Sequence, residues 1–242
     1  MPRFSHLLPG PLTFVAIATV LSAQAPNWVQ INLTTQPPGR QNSALAHDAL
    51  RGVSILFGGW DGTQRRNDTW EWNGTVWNQI TTLNSPSPRD GMSMAYDAAR
   101  QVTVCTAGYV APGETWEFDG VDWTQNVTAT THALGPHRPM TYDLVRGVCV
   151  LFGQSSVSGS LETWEYDGVD WTQVATVSAP GSNGNLAYDL VRMRTVHFGT
   201  SGQTWEYDGV NWTQMSPNNA PPGVGCGSDN MVYDLARQVV VL

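Results

Sequence analysis

A six-residue segment, Thr69-Trp70-Glu71-Trp72-Asn73-Gly74, returns as Thr115 to Gly120, Thr163 to Gly168 and Thr204 to Gly209, and each copy is followed three residues later by Trp77, Trp123, Trp171 or Trp212. Between the copies runs a second phased signature, an Asp followed three residues on by an Arg: Asp48 and Arg51, Asp97 and Arg100, Asp143 and Arg146, Asp189 and Arg192, Asp234 and Arg237. The aspartates lie 49, 46, 46 and 45 residues apart. A period of about 40 to 50 residues with β-type composition is that of propeller blades of four strands each. Within a period the first strand ends in an aromatic or His before the Asp, as in Met92 to Tyr96, and the second is an apolar run such as Gly147 to Phe152. The third is the Thr-Trp-Glu-Tyr segment and the fourth begins at the closing Trp. The Asp fits the first position of a four-residue turn, where its carboxylate accepts the backbone N–H two residues on. Asp-Gly before the closing Trp is a hairpin signal, because Gly takes the positive φ that a tight turn needs. The expected fold is an all-β propeller of four complete four-stranded blades and a partial fifth.

The apolar strand ending in Phe57-Gly58-Gly59, the following Asp68-Thr69-Trp70 with an aromatic two residues on, then Gly74 and the spaced Trp77, resemble the kelch repeat, the blade unit of kelch-type and galactose-oxidase-type β-propellers. The resemblance covers residues 28 to 242 and implies a kelch-type β-propeller; it says little of activity, since such propellers serve many roles. One departure from the pattern is that the Gly-Gly pair survives only at Gly58-Gly59, its equivalents being Ala107-Gly108, Gly153-Gln154 and Gly199-Thr200. Trp28 leads Asp48 by 20 residues, as Trp77 leads Asp97, so residues around Trp28 read as a fourth strand, and Gln238 to Leu242 as a second one. The fifth blade then lacks its Thr-Trp-Glu strand. Such a chain either closes a small ring through a three-stranded blade or belongs to a larger propeller, with self-association through open blade ends as one outcome.

All 12 basic residues are Arg, against 20 acidic residues, for a net charge of -8. That balance offers nothing to a phosphate backbone, and nucleic acid is excluded as a partner. Arg3, the apolar run Leu12 to Leu21 and Ala23-Gln24-Ala25 read as a signal peptide over residues 1–25, leaving 26–242 as the propeller domain. Ten apolar residues are too few for a bilayer, which needs about 20, and no other stretch is apolar enough to span one. A secreted, periplasmic or cell-surface location is expected. Cys105, Cys149 and Cys226 allow one disulfide at most. Cys149 sits in the apolar run Val148 to Phe152 and reads as a small buried hydrophobe, and no CxxC pair points to zinc.

A catalytic group is needed once, so a residue present in every blade is better explained by packing. This assigns Glu71, Glu117, Glu165 and Glu206, with the phased Asp and Arg residues, to turn caps and salt bridges. It assigns Trp70, Trp77, Trp116, Trp123, Trp164, Trp171, Trp205 and Trp212 to core and interblade packing. Trp72 stands where other blades have Tyr or Phe, and only Trp60 has no counterpart. The second-to-third and fourth-to-first connections vary in length while the other two are constant, which puts all variation on one face. Loops of differing length on a rigid scaffold are where binding usually resides. Trp60, Asp61, Arg65 and Arg66, in the longest second-to-third loop, are therefore the candidate binding residues, suited to stacking on a sugar ring or anchoring a protein.

The resemblance also brings in copper radical oxidases, whose site needs two His and two Tyr, one Tyr cross-linked to Cys. Here His47 takes the Tyr position of strand one and His197 the Leu position of strand two, His132 and His137 are free in a loop beside Arg138, and no Cys–Tyr pairing can be assigned. No catalytic residue, metal or cofactor is expected. The expected function is a non-catalytic module binding protein or carbohydrate; the alternatives are an incomplete or inactive relative of the galactose-oxidase-type copper enzymes and a structural surface or matrix protein.

Overall fold

The computed structural model describes residues 33–181, 183–219 and 231–242. They belong to one compact unit, Leu33–Leu242, and contain strands, turns and loops with no helix. The expected signal peptide, the expected strand around Trp28 and Cys226 lie outside the described residues. The first sheet is β1 (Ala44–Asp48), β2 (Val53–Trp60), β3 (Arg65–Trp72) and β4 (Trp77–Ile80); the second is β5 (Met92–Asp97), β6 (Val102–Ala107), β7 (Thr115–Phe118) and β8 (Trp123–Asn126). The third is β9 (Met140–Asp143), β10 (Val148–Gln154), β11 (Leu161–Tyr166) and β12 (Trp171–Val174), and the fourth is β13 (Gly184–Asp189), β14 (Arg194–Gly199), β15 (Thr204–Tyr207) and β16 (Trp212–Met215). A small fifth sheet holds β17 (Val232–Asp234) and β18 (Val239–Val241). Every sheet is antiparallel with its strands in chain order, a propeller-like arrangement of four complete blades and a partial one.

The turns are built by the phased residues. Asp97 Oδ1 accepts the N–H groups of Ala99 and Arg100, both at 3.0 Å, and its other oxygen takes Arg100 Nε at 2.8 Å; Asp48, Asp143 and Asp189 repeat the pattern. Burial works to raise the Asp48 carboxyl, but the backbone and side-chain donors of Arg51 hold it below the ordinary carboxylate range. Each Arg then reaches the Glu of its own third strand, as Arg100 Nη1 does to Glu117 at 2.5 Å. The turn from third to fourth strand is closed by Gly74, Gly120, Gly168 and Gly209 at φ of 92 to 97°, which an L side chain rarely adopts.

Sheet is tied to sheet by the aromatics. Trp123 Nε1 donates to Thr69 Oγ1 at 2.8 Å, Trp171 to Thr115 at 2.8 Å and Trp212 to Thr163 at 2.9 Å, each bond crossing to the preceding sheet. Tyr166 and Tyr207 likewise donate to Glu117 and Glu165 of the preceding sheet at 2.7 and 2.8 Å. The Arg of that sheet lies over the same ring, Arg100 at 5.4 Å from Tyr166 and Arg146 at 5.3 Å from Tyr207. Gly168 and Gly209 let it lie there, because a Cβ at either would strike the guanidinium, at 2.4 and 2.8 Å. These Trp side chains satisfy their indole N–H while burying a large apolar ring, which is why the Thr-Trp pairing recurs in register. Cys105 and Cys149 are free, buried in these inter-sheet cores, and burial pushes the Cys105 thiol up to about 12.

The first strands of successive sheets pack side by side, and together they line one cavity of about 350 Å³, to which His47, Tyr96, Tyr142, Tyr188 and Tyr233 each contribute a ring. Around that axis the connections β1–β2 and β3–β4, with their equivalents, emerge on one face, and the β2–β3 and β4–β5 types on the other. On the first face each of these turns has four residues.

Candidate functional site

On the loop face the chain departs from its repeat at Gly58 and Gly59. Their φ values of 61° and 104° make a bulge between β2 and β3. A Cβ at Gly58 would come within 2.7 Å of the Arg89 carbonyl and one at Gly59 within 2.9 Å of the Gln41 carbonyl, so side chains there would push apart two segments that the bulge brings in. Ala107 and Gly108 reproduce the same backbone at φ 63° and 107°, so the second sheet keeps the geometry without the Gly-Gly pair. The bulge lets β2 and β3 run on past the expected turn. This corrects the expectation for the candidate residues: Trp60 ends β2, Arg65 and Arg66 open β3, and only Asp61 is in the connection, which has four residues rather than being the longest of its kind.

Trp60 is fixed by a two-bond bridge, its N–H donating to Gln41 O at 2.8 Å and its carbonyl accepting from Gln41 N at 2.9 Å. Asp61 is turned to local work. It accepts the N–H of Thr63 and of Gln64 at 2.8 Å, the Thr63 hydroxyl at 2.7 Å and Arg66 Nε at 2.6 Å. The Gln64 N–H, followed by the Thr63 groups, holds its carboxyl far below the usual range. Asp61 and Arg66 thus shape the connection and leave Trp60 and Arg65 to face outward.

Arg65 is the centre of the site. Its Nε donates to Asp90 Oδ1 at 2.6 Å, and its guanidinium lies 5.8 Å from the Trp60 ring and 5.7 Å from the Tyr109 ring. Asp90 is buried, whereas the Arg65 side chain is 39% exposed and Tyr109 is 53% exposed. The ring of Tyr109 meets that of His137 edge-on at 5.4 Å, with the Tyr109 hydroxyl 3.3 Å from His137 Nε2. Backbone bonds from Tyr109 N to Asp90 O and from His137 N to Gly91 O knit the three loops together. The result is a row, Trp60, Arg65, Tyr109 and His137, running from the facing ends of β2 and β3 across the β6–β7 and β8–β9 connections. Beside Trp60 a cleft of about 320 Å³ is lined by Arg40, Gln41 and Asp61. Aromatic faces flanking a cation whose charge is balanced by a buried carboxylate can stack on an apolar ring face while donating hydrogen bonds at its edge.

Tyr109 and His137 escape a reading by repeats because both lie in loops that have no common length. A further layer, also missed, does carry a signal. Arg40 and Arg89 each precede a turn Asp by eight residues. Arg40 holds Asp68 through two bonds of 2.6 and 2.9 Å, and Arg89 reaches Glu114 at 2.6 Å. Trp70 and Trp116 donate to the same two carboxylates. Burial opposes ionisation of Asp68, but Arg40 and the Trp70 indole more than offset it and keep the group charged.

The histidines need a second correction. His132 is not a solvated loop residue. It is 2% exposed, its Nε2 lies 2.8 Å from the Thr106 hydroxyl, its Nδ1 accepts the Leu134 N–H, and its ring packs edge-on against Trp171. His197 is likewise buried, between Phe152 and Trp212. Among the described residues no three of His, Cys, Asp and Glu are grouped so as to hold a metal ion, and no helix is long and apolar enough to cross a membrane. No protein-family model matches the chain, and no curated protein matches it.

Proposed function

We propose that the chain is an exported, kelch-type binding module that holds its ligand on the loop face, at the row formed by Trp60, Arg65, Tyr109 and His137. The observation that carries this reading is the Arg65 guanidinium set between two partly exposed aromatic rings and ion-paired to buried Asp90. An ion pair formed once, between a strand end and a loop, has no role in the repeat. Trp, Tyr and Arg are the residues that dominate interface energetics. A neutral carbohydrate or a protein surface presenting a flat apolar ring fits the chemistry. An acidic protein with only Arg as its basic residue gives long-range steering toward neither nucleic acid nor anionic lipid. The rings and ion pairs serve recognition, and no catalytic step is assigned to them.

The test is a screen of the purified chain against immobilised neutral oligosaccharides and protein extracts, followed by titration of any hit with Trp60→Ala and Tyr109→Ala. Binding weakened roughly tenfold or more by each variant, with unfolding unchanged, supports the reading; unchanged affinity in both rejects it.

A further inference from the structure

The dipeptide Asn-Gly occurs twice in the chain, at Asn73-Gly74 and Asn183-Gly184, and the fold treats the two in opposite ways. Asn73-Gly74 opens the β3–β4 turn. In the other complete sheets the same turn begins with Asp119-Gly120, Asp167-Gly168 and Asp208-Gly209, so Asn73 is an amide at a position that otherwise carries a carboxylate. The backbone does not distinguish them. Asn73 N donates to Val76 O at 3.3 Å, as Asp119 N does to Asp122 O, and Gly74 has a φ of 92° against 96 to 97° for its counterparts. All four residues are exposed. Asn73 Oδ1 accepts the N–H groups of Thr75 and Val76, both at 3.0 Å. The three aspartates accept the equivalent pair at 2.8 to 2.9 Å, shorter as charge-assisted bonds are. These donors, led by the N–H of Asp170 and of Asn211, hold the Asp167 and Asp208 carboxyls below the ordinary carboxylate range.

We propose that Asn73 is a modification site, at which the folded chain converts the amide to a carboxylate by way of its own backbone. The nitrogen of Gly74 adds to Asn73 Cγ, the Cγ–Nδ2 bond breaks, and ammonia leaves behind a five-membered succinimide. Water then opens the ring. Attack at the side-chain carbonyl gives Asp, the residue of the other three turns. Attack at the main-chain carbonyl gives isoaspartate, which lengthens the main chain between the paired Trp72 and Trp77. Water is the co-reactant, and nothing is oxidised or reduced. Negative charge develops on Oδ1 as the nitrogen adds, and the Thr75 and Val76 N–H groups already point at that atom, the arrangement by which an oxyanion is stabilised. Among the described residues the Gly74 N–H and the Asn73 side-chain NH2 make no hydrogen bond, so neither nucleophile nor leaving group must first be released. Glycine also has no Cβ to crowd its own nitrogen. Asn183 has the same dipeptide without the site. Its Oδ1 is buried and accepts no N–H among the described residues, and its carbonyl is held by the Thr200 N–H at 3.0 Å. Gly184 sits so tightly in β13 that a Cβ there would come within 2.2 Å of the Phe198 carbonyl.

The purified full chain is incubated at mildly alkaline pH, either folded or unfolded in urea, and digested with trypsin, which puts Asn73 and Asn183 on separate peptides, 67–89 and 147–192. Fragmentation mass spectrometry follows the mass gain of amide-to-acid conversion at each residue. In urea the two Asn-Gly pairs are expected to convert at similar rates. In the folded chain Asn73 is expected to convert at least about tenfold faster than Asn183, where ring closure waits on local opening of the strand. Asn73→Gln, whose longer side chain cannot close the five-membered ring, is expected to remove the gain from peptide 67–89. Asn73→Asp supplies the acid end state, and the converted wild-type chain is expected to elute with it on anion exchange. Conversion of Asn73 in urea but not in the folded chain, or equal conversion of Asn73 and Asn183 in the folded chain, overturns the proposal. So does a gain in peptide 67–89 that persists in Asn73→Gln.

Discussion

On the turn face every complete connection has four residues and one Asp–Arg–Glu network recurs from sheet to sheet, whereas on the loop face connections between described strands run from four to 16 residues and Arg65–Asp90 and Tyr109–His137 occur once. Both faces are made by the same strands, so the difference is not one of scaffold. A contact that every sheet repeats is explained by what every sheet needs: a closed turn, a satisfied indole N–H, a neighbour to pack on. A contact made once is not required by the repeat. On the proposed function the faces separate the residues that hold the fold from those free to recognise a ligand, and four measurements can break or sharpen that separation.

The largest effect is expected at Trp171, which is fully buried, bonded to Thr115 and stacked on Tyr166. Trp171→Ala is expected to lose about 4 kcal/mol in urea unfolding, from lost burial and the cavity left behind. A loss under about 1 kcal/mol would show that the repeated aromatics do not carry the inter-sheet packing.

Acid comes next. Burial lowers both His132 and His197 to about 4, from an ordinary value of 6.5. Between those values the unfolded chain binds protons that the folded chain refuses, so stability is whole above about pH 6.5 and falls as pH drops toward 4. At 1.36 kcal/mol per unit the loss at pH 4.5 is roughly 2–3 kcal/mol for each His. His197→Leu, which restores the residue type of Leu56 and Leu151, should remove about half of this slope. An unchanged profile would mean that His197 titrates freely.

A turn on the constant face should cost less. Asp97→Asn keeps the turn shape but removes the charge that faces Arg100, which retains Glu117. About 2 kcal/mol is expected in thermal or urea unfolding, in line with hydrogen bonds to charged groups. The smallest effect on stability belongs to Trp60→Ala, expected to shift unfolding by no more than about 0.5 kcal/mol, although Trp60 belongs to the proposed site. A large destabilisation there would make Trp60 a part of the fold and undo the contrast between the faces.

Most of the architecture is legible in the chain itself because it is periodic. All four complete sheets begin their fourth strand at the phased Trp, and the turn aspartates cap as a free carboxylate at the first turn position must. What is not legible arises from single events. The extension of β2 to Trp60 depends on a bulge whose need for glycine comes from the Arg89 and Gln41 carbonyls, far away in sequence. Arg65 finds Asp90 across 25 residues with no phase to announce it. His132 and His137 stand five residues apart in one connection, yet one is sealed beneath Trp171 and the other meets Tyr109 at the surface. Only tertiary packing distinguishes them. Arg40 and Arg89, by contrast, are written eight residues before the first two turn aspartates and could have been read as a second structural layer.

The claim that recognition resides in the unrepeated row is tested most directly by hydrogen–deuterium exchange of the purified chain with and without the ligand recovered from the binding screen. Protection confined to residues around Trp60, Arg65, Tyr109 and His137, and lost in Trp60→Ala, is the predicted result. Protection of the Asp–Arg turns instead, with the loop face unchanged, would contradict it.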